Sequence, residues 1–178
     1  MDTGGVSQDE RYARAAAEFG PAVERLARGY EADPDLRRDL VQDIHVGLWR
    51  SFGAFDGRCS VRTWVYRVAH NIAASHVARG RRRGAYISLE ALEQVAAPDD
   101  PEASAGGRHI LERLLIAIQT LAAPDRQIAL LYLEDLDAGA IGEITGLTPG
   151  AVATRIHRLK AVLAKRFQDG GRHADETS

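Results

Sequence analysis

Residues 55–71, FDGRCSVRTWVYRVAHN, bring three arginines, a tryptophan and a tyrosine into seventeen residues, with no acid after Asp56. Guanidinium groups bind phosphate, aromatic rings near them hold unstacked bases, and an asparagine amide pairs with a base edge. A second stretch, TPGAVATRIHRLKAVLAKRF (residues 148–167), carries five basic residues and no acidic one. Neither contains a nucleophile–base pair or a phosphate loop, so catalysis is not their chemistry. The six histidines show no metal-ligand spacing: His70 and His76 stand six apart, off a common helix face. No metal or cofactor is expected. Each stretch is therefore either an amphipathic helix with a solvated basic face or a surface that holds nucleic acid.

Positioning such residues falls to helices. In the first stretch Ser60 can cap a helix whose Val61, Trp64, Val65, Val68 and Ile72 share one face, which reads Trp64 as a core anchor. Thr63, Arg67, His70 and Asn71 lie on a second face, and Arg62, Tyr66 and Ala73 on a third. The second stretch closes a helix-turn-helix pattern, DAGAIGEITGLTPGAVATRIHRLKAVLAKRF. Gly142 permits a close crossing, Gly146 suits a turn with positive φ, Thr148 can cap, and Pro149 fits a first helical turn. Val152, Ile156, Leu159 and Leu163 form a buried stripe, leaving Ala153, Thr154, His157, Arg158 and Lys160 to face elsewhere. A major groove admits a helix of that kind.

The remaining chain reads as helix as well, with no convincing alternating strand. Helices are expected over about Asp9–Gly20 and from Pro21 to about Tyr30. After a turn at Asp33–Pro34, Leu36, Leu40, Val41, Ile44, Leu48 and Phe52 follow three- and four-residue steps along one face. Further helices are expected at about Arg108–Leu121, Pro124–Glu134, Asp137–Thr145 and Pro149–Phe167. Residues 85–107, with PDDP followed by SAGG, read as a flexible acidic tether. The fold class is all-α, in two small helical domains: residues 7–84, a linker at 85–107, and residues 108–168.

The chain has 178 residues, 45% of them apolar and 27% charged, the composition of an ordinary globular protein. Its single cysteine, Cys59, excludes an internal disulfide and favours a reducing compartment. No apolar run approaches a membrane span and no apolar signal core opens the chain, so a cytoplasmic protein without membrane insertion is expected. A net charge of −2 conceals strong segregation. Residues 50–84 hold eight basic residues against one acid, residues 148–167 five against none, and the segment between 85 and 107 none against five. Two basic patches thus flank an acidic connector, and distribution rather than total charge predicts binding surfaces.

In this order, DLVQDIHVGLW, FDGR, RTWVYRVAHN and the helix-turn-helix resemble the group IV, or extracytoplasmic-function, sigma factors of the sigma-70 family over almost the whole chain. The resemblance implies a non-catalytic, dissociable subunit of bacterial RNA polymerase that binds core enzyme and directs promoter-specific initiation. It implies that Asp39, Gln42, Asp43 and Trp49 dock on the β′ clamp helices, and that the second domain meets the β flap. The minus-ten element would be read and opened by Arg58, Ser60, Arg62, Thr63, Arg67, His70 and Asn71 in region two, through a flipped base. The minus-thirty-five element would be read as duplex by Thr154, His157 and Arg158 in region four, with Arg155 on phosphate. It further implies a linker threading the polymerase cleft, and control by an anti-sigma factor. Ala153 departs from the basic or polar residue common in the family, Gly139-Ala140 from its acidic pair, and Cys59 from its serine. Two other readings remain beside it: a stand-alone helix-turn-helix regulator would shift duplex DNA without polymerase, and a sigma mimic would neither shift DNA nor direct transcription.

Overall fold

Eight α-helices account for most of the described residues in this computed structural model, which describes residues 7–79, 89–94 and 107–172. The arginine cluster at 81–83, most of the tether and the tail beyond 172 lie outside them. The chain divides into two compact units, Met1–Arg83 and Gly84–Ser178. Among the described residues there is no β-strand element.

The first unit is a bundle of α1 (Gln8–Tyr30), α2 (Pro34–Ser51) and α3 (Val61–Arg79), with a 3₁₀ turn at Phe52–Ala54, and each helix packs on the other two. Both long entries are capped. Ser7 Oγ accepts from the Glu10 amide while the Glu10 carboxylate accepts from the Ser7 amide, at 3.1 and 3.0 Å. Asp33 accepts from the amides of Asp35 and Leu36 at 2.9 and 3.0 Å, with Pro34 in the first turn.

The break expected at Pro21 does not occur; α1 runs straight through it. Proline removes the bond to the Ala17 carbonyl, but Ala17 and Pro21 are both exposed, where water can serve that oxygen. Gly20, having no Cβ, relieves the clash that a following proline imposes. Ala15, Phe19, Ala22, Val23, Leu26 and Tyr30 then continue one buried stripe across the site. Tertiary packing outweighs the local penalty.

Helix α3 differs from expectation in its rotation. Its buried residues are Thr63, Val65, Tyr66, Ala69, His70 and Ala73, and the sector they occupy is centred about a third of a turn from the predicted apolar stripe. The reason is that α3 is wedged between two partners. Val68 and Ile72 are half-buried on the α2 side, where Ile72 lies against Gly47. Tyr66 and His70 face α1, with Tyr66 edge-to-face on Phe19 at 6.4 Å and His70 on Tyr30 at 5.6 Å. A single stripe describes a helix with one neighbour, and α3 has two.

His70 is fully buried, its Nδ1 2.8 Å from the Tyr30 hydroxyl and its Nε2 without a hydrogen-bond partner. Desolvation lowers its pKa from 6.5 to about 3, so it is neutral in the folded chain.

The second unit contains α4 (Leu89–Gln94), α5 (Gly107–Thr120), α6 (Asp125–Leu133), α7 (Ala138–Thr145) and α8 (Pro149–Arg172). The tether is thus partly structured: α4 packs on α8 and buries Leu89 and Leu92, one helical turn apart. Arg126, also buried, donates from Nε to the Leu121 carbonyl at 2.9 Å and from Nη2 to the Gln119 carbonyl, satisfying orphan acceptors at the end of α5. Helices α6, α7 and α8 pack mutually around Ile128, Leu131, Ile141, Val152 and Leu159.

Between α7 and α8, Gly146 takes φ +77° and donates its amide to the Gly142 carbonyl at 2.8 Å. Gly142 itself is needed for space, since a Cβ there would stand 2.7 Å from the Leu147 carbonyl oxygen. Val152 and Leu159 of the expected α8 stripe are buried, Ile156 and Leu163 half-buried, and Val162 joins them because α8 also contacts α4 and α6.

Gly142→Ala should therefore lower the stability of the second unit by about 1–3 kcal/mol, whereas Gly150→Ala, with open space at its Cβ, should be neutral or gain up to about 1 kcal/mol. Calorimetric melting of the full chain checks the pair. For His70 the folded pKa lies below the unfolded value, so the unfolded chain takes up the proton first on acidification. Its contribution is complete above about pH 6.5 and falls as pH drops toward 3, by on the order of 3 kcal/mol at about pH 4. Denaturant titrations of the wild type should show that slope, and His70→Gln should flatten it while lowering stability at neutral pH.

Candidate nucleic-acid interfaces

The loop before α3 is built to present Arg58 and Ser60. Asp56 accepts from the Arg58 amide at 3.1 Å and pairs with its Nε at 2.9 Å, and the Arg58 side chain remains exposed. Ser60 caps α3, accepting from the Thr63 amide at 3.0 Å and donating to Thr63 Oγ1 at 2.9 Å. Residues that sequence reasoning did not single out hold this loop from behind. Arg11 of α1 donates to the Phe55 carbonyl at 3.2 Å, and the Phe55 ring stands 5.2 Å from Trp64. Trp64 donates to Ser51 Oγ at 2.9 Å, and Ser51 in turn to the Leu48 carbonyl at 2.8 Å. Trp64 is half-buried rather than a full core anchor, which these polar bonds explain.

Along α3, Arg67 and Asn71 lie one turn apart on the same side, Asn71 exposed and Arg67 half-buried. Arg62, exposed, lies over the Tyr66 ring with its Cζ 5.9 Å from the centroid. Thr63 and His70 belong to a different set. Both are buried, with Thr63 in the cap and His70 against Tyr30, so neither reaches a surface from this packing. The seven candidates in and after the loop therefore reduce to five surface groups: Arg58, Ser60, Arg62, Arg67 and Asn71. Cys59 between them is half-buried and free.

On α2 the exposed face carries Asp39, Gln42, Asp43 and Trp49, with Asp43 4.0 Å from Arg79. Val46, not foreseen, belongs to the same face and is 42% exposed, beside Trp49 at 43%. The apolar signal for Val46 was readable, since it falls at the three-residue step between Asp43 and Trp49. Trp49 is tied to the first turn of α1: its Nε1 donates to Asp9 Oδ1 at 2.7 Å, and Gln8 Nε2 donates to its carbonyl at 2.7 Å.

In the second unit Asp137 caps α7 through the Ala140 amide at 2.8 Å, and Thr148 caps α8 through the Ala151 amide at 3.3 Å. Thr154, His157 and Arg158 are exposed on one side of α8, with Gly150, Ala151 and Ala161 completing a low, unobstructed surface. The Thr154 hydroxyl donates to the Gly150 carbonyl at 3.0 Å, leaving its methyl and oxygen lone pairs for a partner. Arg155 points differently. Its Nη1 donates to Asp125 Oδ1 at 2.6 Å, at the first residue of α6, so it ties α8 to the scaffold before it contacts anything else. Lys160 lies over the Tyr132 ring at 4.7 Å, away from Thr154. Among the described residues no group of three or more His, Cys, Asp and Glu is placed to hold a metal ion.

Residues 16–83 match the family model for sigma-70 region 2, and residues 111–163 that for sigma-70 region 4. The chain is 30% identical over 145 residues to RNA polymerase sigma factor CarQ of Myxococcus xanthus, covering 80% of each. It is 26% identical over 146 residues to ECF RNA polymerase sigma factor SigW of Bacillus subtilis (strain 168), covering 74% of this chain and 75% of SigW. The fold is similar to that of CnrH, solved in complex with the cytosolic domain of CnrY, with a TM-score of 0.66, 21% identity, and 91% and 90% of the two chains covered. It is also similar to that of the sigma factor RpoE solved with the anti-sigma factor NepR from Bartonella quintana, with a TM-score of 0.66, 19% identity, and 88% and 96% covered. Two basic helical units in this order, matched along most of the chain, place the protein in the sigma-70 family of RNA polymerase sigma factors, in its extracytoplasmic-function group.

Proposed function

We propose that this sigma factor acts as a non-catalytic, dissociable subunit of core RNA polymerase and divides promoter recognition between its two units. The observation that carries the reading is the basic, acid-free helical stretch presented by each unit, Val61–Arg79 in α3 and residues 149–168 in α8. Residues 7–84 act as region two, 85–107 as linker and 108–168 as region four.

In region two, Arg58 and Arg67 hold the non-template backbone, and Ser60 and Asn71 meet an extruded base of the minus-ten element. Taking a base from the stack costs a few kcal/mol, which these contacts must offset. In region four, α8 enters the major groove of the minus-thirty-five element. Thr154, His157 and Arg158 face the bases there, and the surface of Gly150, Ala151 and Ala161 lets the backbone approach. Arg155 serves this site by orienting α8 through Asp125. The exposed face of α2, from Asp39 to Trp49, docks on the β′ clamp helices, and the second unit meets the β flap.

Control by an anti-sigma factor belongs to the same proposal. It is supported by the two solved structures of like fold, CnrH with the cytosolic domain of CnrY and RpoE with the anti-sigma factor NepR. A cytoplasmic site of action follows from the proposed partners. No helix among the described residues is long and apolar enough to cross a membrane.

Purified chain added to core polymerase should direct selective run-off transcription from a promoter library; initiation no more selective than core alone would refute the proposal. Asn71→Ala should reduce promoter opening, read by permanganate reactivity, by roughly 5- to 100-fold, the equivalent of about 1–3 kcal/mol, with core binding retained. Arg158→Ala should weaken protection of the upstream element by a similar factor, and its loss should lower the salt dependence of holoenzyme–promoter binding by about one unit of slope. An unchanged footprint there would exclude Arg158 from the site.

A further inference from the structure

Trp49 is the more exposed of the two tryptophans, and it is immobilised. Its indole leaves 43% of the residue open to solvent, next to Val46 one turn earlier at 42%. Its single polar atom is already paired, because Nε1 donates to Asp9 Oδ1 at 2.7 Å. The same turn of α1 grips the backbone behind the ring through Gln8 Nε2 and the Trp49 carbonyl at 2.7 Å. That turn is itself set by the reciprocal Ser7–Glu10 cap. Asp9 is exposed and lies outside the core, so its bond to Trp49 does little for folding and much for the ring's orientation.

An apolar anchor gains affinity when its rotamer is ordered before binding and when docking strands no unpaired donor. A charged carboxylate as acceptor strengthens the arrangement over a neutral one. We propose that Asp9 is a positioning residue for polymerase docking. Its carboxylate pins the Trp49 indole so that the ring and Val46 are presented as a preformed apolar pair on the acidic face of α2. This inference rests on the reading that the exposed face of α2 docks core polymerase. The residues that determine docking then include the first turn of α1, some forty residues upstream of α2's Trp49 in the chain, acting through the indole.

The test uses the full-length protein and core polymerase, with affinity measured by anisotropy from a dye at the C-terminus. Trp49→Ala should weaken binding at least tenfold. Asp9→Ala should weaken it about three- to tenfold, and Asp9→Asn, which keeps an acceptor oxygen, should restore most of that loss. Trp49→Phe keeps a ring but removes the donor, so Asp9→Ala added to it should cause no further loss. Melting temperatures should stay unchanged in the Asp9 variants, Trp49→Ala should remain folded at the assay temperature by circular dichroism, and the Trp49 indole resonance should move in Asp9→Ala. Normal binding by Asp9→Ala alongside weakened Trp49→Ala would overturn the positioning role and leave the docking face standing. Normal binding by Trp49→Ala would overturn both. Additive losses in the double variant, or equal losses in Asp9→Asn and Asp9→Ala, would assign Asp9 a contact of its own and likewise reject the inference.

Discussion

The buried bond between the Tyr30 hydroxyl and His70 sets the rotation of α3, and that rotation decides which α3 residues can touch a nucleic acid. A histidine leaves water only in its neutral form, and here one ring nitrogen remains unpaired as well. The arrangement persists because Phe19, Tyr66, Ala69 and Ala73 close around the same seam and exclude alternatives. With that seam fixed, Arg67 and Asn71 are carried to the outside and Thr63 to the inside. The loop before the helix follows, because its cap on Thr63 and its aromatic contact through Phe55 and Trp64 fix its backbone, with the Arg58 side chain left exposed.

The second unit solves the same problem with different chemistry. An ion pair from Asp125 to Arg155 and a glycine at 142 set how α8 leaves the turn. Asp125 is the first residue of α6, where a negative charge also complements the helix dipole. Arg126, one residue later, closes the end of α5. The scaffold thus spends one arginine on closing α5 and another on holding α8, while His157 and Arg158 stay exposed on its outer side. The low surface of glycine and alanine around them suits a helix that must sit deep in a groove, where a larger side chain would hold the backbone away.

Charge segregation makes both units workable in a chain of net charge −2. Phosphate attracts the outer sides of α3 and α8 and repels the outer side of α2, where Asp39 and Asp43 stand. An acidic α2 face with Val46 and Trp49 exposed is therefore better suited to a protein surface than to DNA.

Helix content, both turn signatures, the capping residues at 60 and 148, the two basic patches and the sigma-70 resemblance were legible in the amino-acid order. Each is a local property: a period of three and four, a glycine at a fixed offset, a run without acids. What the order of residues could not disclose depends on neighbours distant in the chain. Helix α1 passes Pro21 because a buried stripe continues beyond it, and α4 forms within the tether because α8 accepts Leu89 and Leu92. His70 looks like a surface polar group until α1 supplies Tyr30, and Thr63 until the bundle buries it beside its Ser60 cap. The tie from Arg155 to Asp125, thirty residues earlier, is likewise set only when the two come within 2.6 Å. Periodicity states that a helix has an inside; only the packing of a second and third helix determines which way that inside turns.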